Sequence, residues 1–180
     1  IFENSPDAIL LIDDGLIFDC NHAAIEMLRY GRREALLSRP TSELSPDVQP
    51  DGPSSSAKLA EVVATAFLKG SKRFEWTAKR SDNTQFPAEV LLTSIPFEDR
   101  HILHAVFRDI SRRKEAEQEL SRSRKQEEEF RAGQGRVLEM IARGESIENV
   151  LASLVTLIEA QSEGMLCSVL QLSEDGKYIR

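Results

Sequence analysis

The chain has 180 residues, 41% of them hydrophobic and 29% charged, with a formal net charge of -7. That apolar share supports a packed core, in one large domain or in one domain and part of another. The acidic balance argues against general binding to nucleic acid or to anionic membranes, which need a basic face. No apolar run reaches the roughly 18–20 residues of a membrane span. Cys20 and Cys167 lie far apart and form no motif. Buried, reduced thiols and a cytoplasmic location are the expectation.

Phe2 to Pro6 reads as a short cap ending in a turn. Ala8 to Asp13 and Leu16 to Cys20 are short apolar runs separated by Asp14-Gly15, a strong hairpin signal. Asn21 can cap a helix over Ala23 to Leu28 that stops at Tyr30-Gly31, and a second short helical piece is expected over Arg33 to Leu37. Pro40 to Ser56 is rich in Pro, Ser, Asp and Gly and predicts a mobile loop. Leu59, Val62, Val63, Ala66 and Phe67 recur at helical spacing, which predicts a helix over Ala57 to Leu68 ended by Gly70.

Three strands should follow. Arg73 to Lys79 alternates, with Phe74, Trp76 and Ala78 on one side, and Ser81 to Thr84 is a turn. Phe86 to Ile95 carries Pro87 near its start, where a missing donor does least harm. Pro96 to Arg100 turns the chain into the strand His101 to Phe107. The order predicts an α+β fold, a five-stranded antiparallel sheet with helices on one face.

At Phe107-Arg108-Asp109-Ile110-Ser111 the last strand runs straight into a charged helical segment, Arg112 to about Arg143. Ala116, Leu120, Ser123, Glu127, Phe130, Gln134, Val137 and Ile141 recur in steps of four and three, the seam spacing of a coiled coil. The seam is apolar at its ends and polar at Ser123, Glu127 and Gln134. Polar seam positions cost stability but set register, so a homodimer through this helix with a weak centre is expected. Gly144 breaks the pattern, and Ser146 is a suitable N-cap for a helix with an apolar face from Ile147 to Ile158 that Gly164 would close. Met165 to Leu172 predicts a strand, Ser173 to Gly176 a turn, and Lys177 to Arg180 a partner strand. Residues from about 136 onward look like the beginning of a second domain, cut short at Arg180. The expected boundaries are 1–111 for the first domain, 112–143 for the linker and 144–180 for the truncated start.

Several of these segments carry a family resemblance. Phe2-x-x-Ser5-Pro6-Asp7-Ala8, Asp14-Gly15 and Asn21-x-Ala23-Ala24-x-x-Met27-Leu28-x-Tyr30-Gly31 resemble the opening of a PAS sensory domain. The stretch from Arg73 to Val90 resembles the central hairpin of that family. Arg108-Asp109-Ile110-Ser111 resembles its closing motif, with Ser111 where Thr is usual. The later segment, 136–180, is similar to the first helix and hairpin of a GAF domain. The resemblance implies a small-molecule pocket between sheet and helices, dimerisation, and an output domain concerned with cyclic-di-GMP turnover or a histidine kinase. The family's usual Lys-Asp-Gly turn is here Ser81-Asp82-Asn83, in which Asn83 tolerates positive φ. With that Lys gone, Arg80 or Lys79 would have to pair with Glu34.

The cofactor is left unknown, with haem and flavin disfavoured. Haem-binding members usually carry a His on the long helix, and residues 57–70 have none; His104 shares a side with Arg108 and should face outward. Flavin photoreceptors of the family need a Cys beside the helical wall, and Tyr30 to Leu44 has none. No set of residues has metal-ligand spacing, and no catalytic motif appears, so no enzyme activity is expected of these residues. The candidate site is an apolar pocket lined by Met27, Leu28, Val63, Phe67, Trp76, Val90, Leu92, Leu103, Ala105 and Phe107. The indole N–H of Trp76 wants a partner and could orient a ligand. Asp109, Ile110 and Ser111 are the expected signal junction. The expected function is a sensory and dimerisation module; the alternative is a ligand-free scaffold with a filled core.

Overall fold

The structure, a computed structural model, describes residues 2–160 and 165–169. It divides into two units, Ile1–Glu115 and Ala116–Arg180. The first is an α+β domain. Strands β1 (Ala8–Asp13) and β2 (Leu16–Cys20) form the expected hairpin. Its turn needs positive φ at both central positions, and Asp14 (46°) and Gly15 (76°) supply it. Helix α1 (His22–Leu28) follows at once, because Asn21 caps it by accepting from the Ala24 amide. Asn21 is fully buried and all its polar atoms are used. Its Oδ1 also accepts from the Ile9 amide at 2.9 Å, and its Nδ2 donates to the carbonyls of Asp7 and Phe2. One side chain thus fixes β1, α1 and the N-terminal segment together.

Between α1 and helix α2 (Ser55–Lys69) the chain is more ordered than its composition suggests. It forms 3-10 turns at Arg33–Ala35 and Thr41–Leu44, and Leu36 and Leu44 enter the core. Gln49 is 2% exposed: its Oε1 accepts from the Thr77 amide at 2.9 Å, and its Nε2 donates to the Ser55 hydroxyl at 2.8 Å. A buried amide so placed satisfies backbone groups on the free edge of the sheet.

Strands β3 (Ser71–Lys79), β4 (Gln85–Phe97) and β5 (Arg100–Asp109) complete an antiparallel sheet of order β2-β1-β5-β4-β3. β4 and β5 run further toward their connecting turn than the sequence pattern predicts, because Pro96 and Phe97 still pair with His101 and Arg100. Pro96 lacks a donor but keeps its extended backbone, and the turn shrinks to Glu98-Asp99, where Glu98 takes φ 53°. The core lies under α1 and α2 on one face, among Leu10, Ile17, Cys20, Leu28, Ala66, Ala78, Val90 and Ala105. The opposite face carries Ile9 and Ile102, both buried, and a Phe18–Phe97 ring pair at 5.9 Å.

Helix α3 (Ser111–Ala142) starts directly at the end of β5. In the second unit it is followed, after Gly144 at φ 69°, by α4 (Ile147–Glu159), capped by Ser146 as expected. The two helices meet closely. A Cβ on Gly133 would stand 2.2 Å from Leu157 Cδ1, so a larger residue there requires the Leu157 side chain to swing aside. α4 ends at Glu159 rather than continuing toward Gly164, which lies outside the described residues together with 170–180. Met165 to Val169 is not a strand. Its expected partner, from Lys177, falls outside the described residues. Within them the Cys167 amide donates to the Glu159 carboxylate at 3.0 Å instead of to a ladder.

Candidate functional site

Between the inner face of the sheet and α2 the first unit has a half-open cavity of about 590 Å³. Strand alternation turns Trp76, Val90, Leu92, Leu103, Ala105 and Phe107 inward, and helical spacing turns Val63 and Phe67 toward them. Leu59, Ala60, Phe74, Ile12 and Leu44 complete the apolar wall. Phe74 and Trp76 meet edge to face, 5.7 Å between ring centroids. Phe67 keeps 47% of its surface exposed although it faces this space. The space is therefore not filled by the domain's own side chains.

Met27 and Leu28 do not belong to this wall. α1 lies at the far end of the sheet beside the β3–β4 turn, where Ser81 N–H donates to the Leu28 carbonyl at 3.0 Å. Leu28 is core, 1% exposed, and Met27 packs against the same core. An amphipathic helix pattern identifies a buried face but not which part of the sheet it covers.

The charged lining groups gather at one end of the cavity, and the hydroxyl residues Thr41, Ser42, Ser45 and Ser56 also line it. Asp13, Asp14, Gly15, Arg100 and His101 come from the β1–β2 and β4–β5 turns, which the pairing of β1 with β5 brings together. Arg100 pairs with Asp13 at 2.9 Å. At the other end the indole of Trp76, 5% exposed, donates to Ser45 Oγ at 2.9 Å. The indole donor expected to meet a ligand is thus already engaged, and Ser45, on a loop with no sequence pattern to flag it, holds it. His104 faces the outer side as expected, and burial lowers its pKa. The Cys20 thiol is buried in the core, where desolvation pushes its pKa up despite the nearby Arg33 guanidinium. Among the described residues no group of His, Cys, Asp and Glu is arranged to hold a metal ion. Among them, too, no helix is long and apolar enough to cross a membrane.

The second feature is the exit from β5. Ile110 is 4% exposed, and its amide donates to the Pro87 carbonyl at 3.0 Å, adding one rung to the β4–β5 ladder. Asp109 accepts from the Ser111 amide through Oδ1 at 2.8 Å and pairs through Oδ2 with Arg80 at 2.8 Å. Arg80 therefore does not pair with Glu34. It sits at the β3–β4 turn, its Nε donates to the Met27 carbonyl at 3.0 Å, and its guanidinium lies 3.8 Å from the centre of the Phe86 ring. Strand pairing carries the turn past the end of β5, which makes Asp109 its nearest carboxylate. One turn further, Arg113 and Lys114 reach Glu75 at 2.8 and 2.6 Å, and Arg113 also reaches Glu89 on the outer face of the sheet. Lys114, the main cause, and Arg113 hold the Glu75 carboxyl below its ordinary pKa.

Of the expected coil seam, Phe130 and Val137 turn toward the groove between α3 and α4, with Glu127 at its rim. Ala116, Leu120, Ser123, Gln134 and Ile141 are exposed. Gly133 and Met140, outside the expected seam, share the groove.

Residues 6–112 match the PAS domain family, and the chain belongs to that family. The fold is shared with solved structures at low identity. A PAS domain of a protein from Colwellia psychrerythraea is 22% identical over 62% of this chain and 92% of that one, with TM-score 0.54. The PAS domain of nitrogen regulation protein NR(II) from Vibrio parahaemolyticus is 20% identical over 61% and 94%, with TM-score 0.50. An RNA-binding light-oxygen-voltage receptor is 19% identical over 69% of this chain and 35% of that one, with TM-score 0.54. A search of curated proteins finds no match.

Proposed function

We propose that the chain is the sensory and dimerisation part of a signal-transduction protein, with the cavity as sensor and the β5–α3 junction as exit. The half-exposed Phe67 in an unfilled cavity of about 590 Å³ carries this reading, since a filled-core scaffold would leave neither. A ligand there touches Leu103, Ala105 and Phe107 on β5. Two residues after Phe107, Asp109 bonds the first amide of α3. A shift of β5 is therefore delivered to the start of a helix 32 residues long. The shift needs two states within a few kcal/mol of each other for occupancy to choose between them. Dimerisation through α3, a GAF-like start beyond 144, and an output domain for cyclic-di-GMP turnover or histidine phosphorylation extend the same reading. So do cytoplasmic location and the absence of catalysis in these residues.

Native mass spectrometry of the protein purified from its natural host tests the sensor. A bound small molecule supports it; a clean apo mass in every preparation favours the scaffold. Asp109→Ala tests the exit. In the full-length protein it should leave the sheet folded while weakening control of the output, and wild-type control would sink the relay.

A further inference from the structure

Resting on the sensory reading, we propose that the cavity takes an uncharged, flat, largely apolar molecule bearing one hydrogen-bond acceptor, which the Ser45 hydroxyl engages. The charged and titratable lining groups, Asp13, Asp14, Arg100 and His101, all stand at the turn end, away from Trp76 and Ser45, and Asp13 and Arg100 pair there at 2.9 Å. Lys58 lies 5.9 Å from the Trp76 ring centre but pairs with Asp51 at 2.5 Å and is not part of the wall. An ionised group carried into the deep end would lose its hydration with no counter-charge to meet it. What the deep end does offer is a donor. Ser45 Oγ already accepts from Trp76 at 2.9 Å, so its own proton is left to donate, and no acceptor for it is present among the described residues. Receiving the indole N–H polarises that hydroxyl and strengthens it as a donor. Ser45 is 7% exposed, so the donor is largely shielded from bulk water. The edge-to-face rings of Phe74 and Trp76, with Phe67 from α2, favour a flat body over a branched one.

A series on one ring system tests this by calorimetry on the 180-residue chain: 2-acetylnaphthalene, naphthalene, 2-naphthoate and 2-(aminomethyl)naphthalene. The ketone should bind about tenfold or more tighter than either ion. Ser45→Ala should weaken the ketone by about fivefold and leave naphthalene unchanged. Ala60→Phe, which adds a ring to the wall from an exposed helix position, should weaken ketone and hydrocarbon alike. Equal or tighter binding of either ion overturns the proposal, as does a ketone affinity indifferent to Ser45→Ala, or no binding by any member. Failure of this ligand chemistry is distinguishable from failure of sensing itself, which the native mass spectrum and the Asp109→Ala output read independently.

Discussion

Replacing Arg80 by Ala should cost more stability than its position in a surface turn suggests. Its pair with Asp109 is part-buried, the two side chains 15% and 32% exposed. A hydrogen bond involving a charged group contributes about 1.5–3 kcal/mol, and the exposure of Asp109 places the pair at the low end. The Nε bond to the Met27 carbonyl and the 3.8 Å contact with Phe86 add about 0.5–1 kcal/mol each. Arg80→Ala should therefore destabilise by about 2.5–3.5 kcal/mol. Asp109→Ala loses the pair and the bond to the Ser111 amide but leaves Arg80 its other two contacts, so it should cost about 2–3 kcal/mol. The chain's single Trp, Trp76, reports unfolding of this domain in urea. The double variant should show a coupling of about 1 kcal/mol. A coupling within about 0.3 kcal/mol of zero would mean that the two residues act independently, and the junction would lose its latch.

Other features give independent expectations. Asp82 accepts from the Thr84 hydroxyl and amide and pairs with Arg29, which hold its carboxyl well below the usual carboxylate range. The unfolded chain then binds more protons, so this stability is full above about pH 4 and is lost as pH falls through the depressed folded value. Asp82→Asn should flatten the acid limb of a thermal-stability profile, and an unchanged limb contradicts the assignment. Cys167 should react with a thiol reagent while Cys20, fully buried with a raised pKa, waits for unfolding; simultaneous reaction would contradict the burial. Gly133→Val should loosen the α3–α4 contact against Leu157 by about 1 kcal/mol, read by hydrogen exchange along α4; unchanged exchange would show that the Leu157 side chain moves aside without disturbing the contact.

The domain is largely legible in the sequence where its signals are local. Asp14-Gly15 specifies a hairpin turn, Asn21 caps the helix beside it, and alternation sorts Trp76, Val90 and Leu103 onto one face. What escapes depends on pairs distant in sequence. Nothing near Arg80 points to Asp109, because only the sheet register places the β3–β4 turn beside the end of β5. Ser45 and Gln49 lie in a Pro- and Ser-rich segment whose composition predicts only a loop, yet each bonds a group on β3. Met27 and Leu28 lie off the cavity wall because periodicity gives a helix a buried side without an address. The strand expected at Met165 rests on apolar content alone, and apolar content does not supply a hydrogen-bonding partner.

The most direct measurement follows the exit while the sensor is filled. Hydrogen exchange would be recorded at Ile110 and Ser111, whose amides bond the Pro87 carbonyl and the Asp109 carboxylate. The recordings would be made with and without saturating 2-acetylnaphthalene, in wild type and in Asp109→Ala. A relay through β5 predicts altered protection at both amides in the wild type and a smaller change at Ser111 in the variant. Altered protection along β4 and β5 with none at Ile110 and Ser111 would contradict it: the cavity would be occupied and the helix would not know.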